Sequence, residues 1–153
     1  MHHSRHNAFT MASVTLAFRV RTWEGHVTSP KDRLRQPPAE RFAGPEHRID
    51  LGAALEELRR EPHHATDKHR QITVFHKGPL RLVLFAFEPG GGLPAHRAPG
   101  SVVIHTLRGR IHVKTLNENY ELATGQILML DPEVVHDVTA QEQSDMLLTV
   151  TIS

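Results

Sequence analysis

Hydrophobic and polar residues change their rhythm along this chain. Between Asp50 and Glu61 the apolar residues Leu51, Ala54, Leu55 and Leu58 fall at i, i+3, i+4 and i+7, the stripe of an amphipathic helix. Asp50 offers an N-capping carboxylate, Glu56 and Arg60 lie four apart on another face, and Pro62 ends the segment. From Gln71 onward the helical period disappears. Short apolar runs are then broken by turn residues at His76 to Pro79, Pro89 to Gly92, Pro99 and Gly100, Arg108 to Arg110, Asn117 to Asn119, Thr124 and Gly125, and Asp131 and Pro132. A turn roughly every 8 to 12 residues predicts an all-β sandwich or barrel. Leu80 to Phe87 is apolar at almost every position, so it should be a strand covered on both faces. Met146, Leu148, Val150 and Ile152 mark a last strand that closes the core. Far upstream, Val14, Leu16, Phe18 and Val20 alternate with Thr15, Ala17, Arg19 and Arg21, predicting a strand over residues 13–21 that joins a sheet of its own chain or the edge of a partner subunit. The competing reading of this stretch is an arginine-rich arm behind an upstream start, with Met11 as the true first residue.

A length of 153 residues and 39% hydrophobic content suit one core rather than two. Within it, residues 1–49 carry eight basic and four acidic side chains, together with Pro30, Pro37, Pro38 and Pro45. They read as an irregular basic N-terminal arm, because proline removes amide donors and little apolar surface offsets the cost of ordering. Residues 50–153 carry ten basic and thirteen acidic side chains and read as the folded domain, with its helix at 50–61 and its barrel at 71–153. The charges nearly cancel, +1 overall, and basic and aromatic residues are not interleaved in the core, which speaks against nucleic acid and anionic membranes as partners. No apolar run approaches the roughly 18 to 20 residues of a membrane span, and the first ten residues lack a signal-peptide core. The expectation is a cytoplasmic protein.

The chain has thirteen histidines and no cysteine, so histidine and carboxylate are its only strong metal ligands. Residues 89–139 resemble the paired motifs of the cupin superfamily, whose fold is a small double-stranded β-helix, a jelly-roll-like barrel. Gly90, His96 and Gly109 match the opening glycine, first histidine and closing glycine of the first motif, while Ala98 replaces its second histidine and Val102 its glutamate. In the second motif Gly125 and His136 match the glycine and the histidine, with Pro132 in the preceding turn, Glu133 in place of a glycine and Ala140 in place of an asparagine. The resemblance implies an all-β cupin barrel with a short N-terminal helix, a homodimer, and a metal-binding motif that has lost two of its four ligands. In full sites those ligands hold iron, manganese, nickel or zinc.

Strand parity sorts the remaining histidines. If Ala98 and Val102 face the lumen, Ile104 and Thr106 do too and His105 faces out; His112, between Arg110 and Lys114, also faces out. His76 shares parity with the apolar Ile72 and Val74 and is the possible third ligand beside His96 and His136. His63, His64 and His69 sit in a polar linker after Pro62 and, like His2, His3 and His6, are read as solvated. Other chemistries fit poorly. Ser101, His136 and Asp137 cannot form a hydrolytic triad, because neighbouring strand residues point to opposite faces. The glycines Gly90 to Gly92 have no following helix to make a phosphate loop, and Glu88 and Glu133 read as carboxylates at the barrel mouth rather than a catalytic pair.

Two functions follow. The leading one is a small-molecule-binding cupin without a complete catalytic metal site, its ligand held in a lumen lined by His96, Ala98, Val102, Ile104, Thr106 and His136. The alternative is a metal-dependent enzyme, an oxygenase or isomerase, using His96, His136 and the recruited His76. A regulatory module whose arm engages a partner is the third class, carried by the Val14 to Val20 alternation.

Overall fold

The computed structural model describes residues 21–22, 42–62 and 68–152, and the fold is built from one helix and ten strands among them. In chain order these are β1 (Arg21–Thr22), α1 (Leu51–Arg60), β2 (His69–Lys77), β3 (Leu80–Phe87), β4 (Gly91–Arg97), β5 (Ser101–Arg108), β6 (Arg110–Thr115), β7 (Asn119–Ala123), β8 (Ile127–Leu130), β9 (His136–Ala140) and β10 (Ser144–Thr151). They form two five-stranded sheets, ordered β1-β4-β9-β6-β7 and β2-β3-β10-β5-β8. All pairs are antiparallel except β1 with β4. Strand β10 is the centre of the second sheet, flanked by β3 and β5, which is why its alternating Met146, Leu148 and Val150 are buried.

The inner faces of the two sheets meet in one core. Val83, Phe85 and Phe87 of β3, Ile104 of β5, Ile111 and Val113 of β6, Val138 and Ala140 of β9, and Met146 and Leu148 of β10 interlock there. Strand β3 is covered on its other face as well. Leu84 and Ala86 point outward, and α1 packs over β2 and β3 with Leu58 fully buried. Asp50 caps the helix by accepting the Ala53 amide hydrogen at 2.9 Å. Arg59, in the last turn of α1, is ion-paired with the buried carboxylate of Asp145 on β10, and Arg108 Nε reaches the other Asp145 oxygen at 3.3 Å. The helix is thus tied to the outer face of the sheet whose inner face forms half of the barrel.

Two parts of the sequence reading change. His69 is not linker: it opens β2 and packs against the rings of Phe85 and Phe87 at 5.8 and 5.9 Å between centroids. The expected strand over 13–21 falls outside the described residues except for its last position, Arg21, which with Thr22 forms β1 alongside His96 and Arg97. His2, His3, His6, His63 and His64 also lie outside the described residues. Among the described residues no helix is long and apolar enough to cross a membrane.

Candidate functional site

His96 lies next to the end of β4 and His136 begins β9, and the two are register partners. Opposed residues of an antiparallel pair project to the same side, and Val138 and Ala140, two and four residues beyond His136, are core residues. Both imidazoles therefore lie on the inner face, with ring centroids 4.3 Å apart and planes inclined at 57°. His96 reaches that face only because β4 changes register between Leu93 and His96. Leu93 is inward, and two residues intervene where strict alternation allows one.

Each ring is anchored in the same way. Nδ1 of His96 lies 2.9 Å from the Pro94 carbonyl oxygen and Nδ1 of His136 lies 2.9 Å from the Val134 carbonyl oxygen. A carbonyl only accepts, so each Nδ1 carries the hydrogen and each Nε2 carries the lone pair. Both imidazoles are held below their ordinary protonation range, first of all by burial; the carbonyl hydrogen bonds and the Asp137 carboxylate pull the other way. For His136 the neighbouring His96 adds to the lowering. At neutral pH the site offers two uncharged rings in fixed orientation.

The loops carrying the histidines are fastened together. Glu133 N–H donates to the Ala98 carbonyl at 2.9 Å, and Arg97 Nε meets the Glu133 carboxylate at 3.1 Å. Glu133 takes a left-handed backbone with φ of 67°, a conformation that costs a residue with a Cβ about 1 kcal/mol and that glycine adopts freely.

The other expected lining residues separate into two depths. Ala98 and Val102 are buried near the histidine end, with Leu130 and Val150 directly beside Val102 in the sheet. Ile104 and Thr106 have no exposed surface and sit deeper, in the packed middle, where Thr106 Oγ1 donates to the Leu122 carbonyl at 3.4 Å. His105 lies on the outer face beside Leu147 and Ile127, and His112 is half-exposed, 3.8 Å from Glu121. Asp137 belongs to the outer face of β9 and does not orient His136 by contact.

His76 does reach the inner face, but not through the parity with Ile72 that the sequence suggests. Strand β2 changes register between Thr73 and Phe75, so Ile72 pairs with outward Leu84 while His76 pairs with Arg81. The extra residue, Val74, breaks the assumed alternation. His76 lies 3.5 Å from an Arg81 terminal nitrogen, and burial and that guanidinium lower its pKa in that order. Among the described residues no group of three or more histidine and carboxylate side chains can hold a metal ion. The cupin metal ion therefore does not fit the described donor set. His96 and His136 have the backbone-anchored orientation typical of metal-ligating histidines, but the two remaining motif positions are hydrocarbon, and His76 does not join them.

Arg81 itself was passed over in the sequence as part of an apolar strand. It is the single charge between Leu80 and Phe87, and that exception is the signal that could have found it. Arg81 shares the inward parity of Val83, Phe85 and Phe87, and its Nε is buried without a hydrogen-bond partner.

A separate open groove of about 460 Å³ runs over the outer face of the first sheet, lined by Lys68, Gly90 to Ala95 and Asp137 to Thr139. It lies on the opposite side of β4 and β9 from the histidines.

Comparison with known proteins agrees with this architecture. The family model described as a cupin domain matches residues 83–152. A protein of unknown function from Streptococcus pyogenes is 25% identical, with a TM-score of 0.54 over 58% of this chain and 78% of its own. A cupin superfamily protein from Desulfitobacterium hafniense is 16% identical, with a TM-score of 0.58 over 71% of this chain and 94% of its own. KdgF from Halomonas sp. is 18% identical, with a TM-score of 0.55 over 62% and 90% of the two chains. No curated protein matches the chain. Two facing antiparallel sheets, His96 and His136 paired across β4 and β9, and the matching domain model lead to one conclusion: residues 83–152 form a cupin domain.

Proposed function

We propose that this protein binds a small organic molecule at the histidine end of its barrel, without a complete catalytic metal site. The observation that carries the reading is the His96–His136 pair, buried and anchored through Nδ1, beside hydrocarbon at Ala98 and Val102. Such a pair orients a ligand by a few polar contacts while apolar walls supply the burial, the usual division of labour in a small-molecule site. His96, His136, Ala98 and Val102 are the contact residues in this reading, and Ile104 and Thr106 form the floor beneath them. Residues 50–153 constitute the barrel domain and residues 1–49 an arm. The protein acts as a cytoplasmic homodimer, a reading supported by the exposed Ile127 and Met129 on edge strand β8.

Elemental analysis of the purified chain, alone and as His96→Ala, tests the proposal. The expected result is no metal whose amount depends on His96. One iron, nickel, zinc or manganese per chain, lost in His96→Ala, overturns it in favour of a metal-dependent oxygenase or isomerase built on His96, His136 and a ligand from elsewhere.

A further inference from the structure

Strands β3 and β4 belong to opposite sheets and are joined by the tight turn at Glu88 to Gly90, where Gly91 N–H donates to the Glu88 carbonyl at 2.8 Å. The chain reverses there, so the beginning of β3 and the end of β4 lie at the same end of the barrel. Arg81 is the second residue of β3 and His96 the last but one of β4. Across the second sheet, His76, Arg81, Val150, Val102 and Leu130 form one continuous inward row. Across the first sheet, His96 and His136 occupy the corresponding end. Stacked sheets stand about 10 Å apart, so a guanidinium on one wall faces two imidazoles on the other at this end of the barrel.

Arg81 is an unusual occupant of this row. A guanidinium is always charged and carries donors in a planar fork. Its buried Nε has no hydrogen-bond partner, it makes no ion pair among the described residues, and a terminal nitrogen lies 3.5 Å from Nε2 of His76. Other arginines of the second sheet and its helix do find carboxylates: Arg70 meets Glu88, and Arg59 and Arg108 meet Asp145. A buried donor left unmade carries a desolvation cost that a ligand acceptor would relieve. The fork matches the two oxygens of a carboxylate, and one cation beside Val150 and Val102 suits a single negative charge better than a phosphate.

We propose that Arg81 is the specificity-determining residue of the site, and that the ligand is a small carboxylic acid whose carboxylate docks on the Arg81 fork while its other end faces His96 and His136. This rests on the barrel-end binding reading above and adds the ligand class to it. The neutral His76 stands beside the guanidinium and leaves the pocket its positive charge.

The test is a nitrogen-15 NMR titration of the full chain, labelled at arginine and histidine, with two acid and amide pairs: pyruvate against pyruvamide, and benzoate against benzamide. A member of each acid should move the Arg81 Nε–H resonance together with those of His96 and His136, and its amide should bind about tenfold or more weakly, as expected for loss of a charge-assisted hydrogen bond. Arg81→Met, which keeps the apolar stem, should abolish the preference for acid over amide, and Arg81→Lys should restore it only in part. Acid and amide moving the histidine signals equally, or Arg81→Met keeping the preference, overturns the carboxylate assignment and leaves the binding site standing. Saturable binding of the acids that moves none of the three residues, or no binding of any of the four probes, overturns the assignment too, and the former also removes the histidine end as the site. The wild-type Arg81 resonance decides the matter even if the variants fail to fold.

Discussion

Replacing Asp145 by asparagine tests what holds α1 against the barrel. The Asp145 side chain is only 6% exposed, and its two partners differ: Arg59 is 24% exposed and Arg108 is 54% exposed. Asparagine is nearly isosteric, so packing is kept and the charge alone is lost. A hydrogen bond to a charged group contributes about 1.5–3 kcal/mol when shielded from water, and this range applies to Arg59. The Arg108 contact is screened and contributes about 1 kcal/mol at most. Stranding a fully buried cation would raise the cost to about 3–5 kcal/mol, but a quarter-exposed Arg59 can turn its head to water. The expected loss is therefore about 2–3 kcal/mol, read from urea unfolding with an unchanged m-value. A double-mutant cycle divides it: Asp145→Asn with Arg59→Met should show a coupling of about 1.5 kcal/mol or more, and with Arg108→Met less than about 1 kcal/mol. The exposed Glu56–Arg60 pair, at 71% and 78% exposure, is the control, and Glu56→Gln should cost less than about 0.5 kcal/mol. Asp145→Asn within about 0.5 kcal/mol of the parent would refute the reasoning, because exposure would then not be what separates these pairs.

Stability should also depend on pH through three histidines. His76, His96 and His136 all have lowered pKa values in the fold, so between those values and the ordinary 6.5 the unfolded chain binds more protons. Stability is then complete above 6.5 and declines as pH falls below it; thermal melts from pH 8 to pH 5 should show this decline, reduced in His136→Gln, and a flat profile would count against it. Adding a histidine and a carboxylate beside the pair, as Ala98→His with Val102→Glu, should create a stoichiometric zinc or nickel site that disappears when His96→Ala is added, measured by calorimetry. Without metal the same variant should lose about 3 kcal/mol, because the new carboxylate meets Leu130 and Val150. Met129→Glu on β8 should shift the chain from dimer to monomer in light scattering, and an unchanged mass would exclude that face as the interface.

Much of the architecture is written locally. Asp50 and the Leu51 to Leu58 stripe specify a capped helix because cap and face lie within a few turns of one another. The run from Leu80 to Phe87 specifies a strand covered on both faces, and the structure supplies both covers, the core on one side and Leu58 of α1 on the other. The glycine and histidine motifs around His96 and His136 announce the cupin barrel because turn geometry demands particular residues at particular spacings. Parity also places Val102, Ile104 and Thr106 among the buried residues, since β5 runs through them without a break, and Ala98, just before that strand, is buried with them.

The remainder depends on register, which sequence does not encode one residue at a time. An extra residue at Val74 puts His76 on the opposite face from Ile72, beside Arg81, and two residues between Leu93 and His96 keep that histidine inside. A bulge is stabilised by the partner strands and by what the sheet must pack against, so no local pattern announces it. The same dependence hid Arg81, whose significance comes from the row it shares with Val102 and Val150 across β10 rather than from its own neighbours in sequence. The amino-acid order alone determined a cupin barrel and singled out His96 and His136. Only the pairing of strands decided which other side chains share their end of it, because that is a property of distant segments brought together.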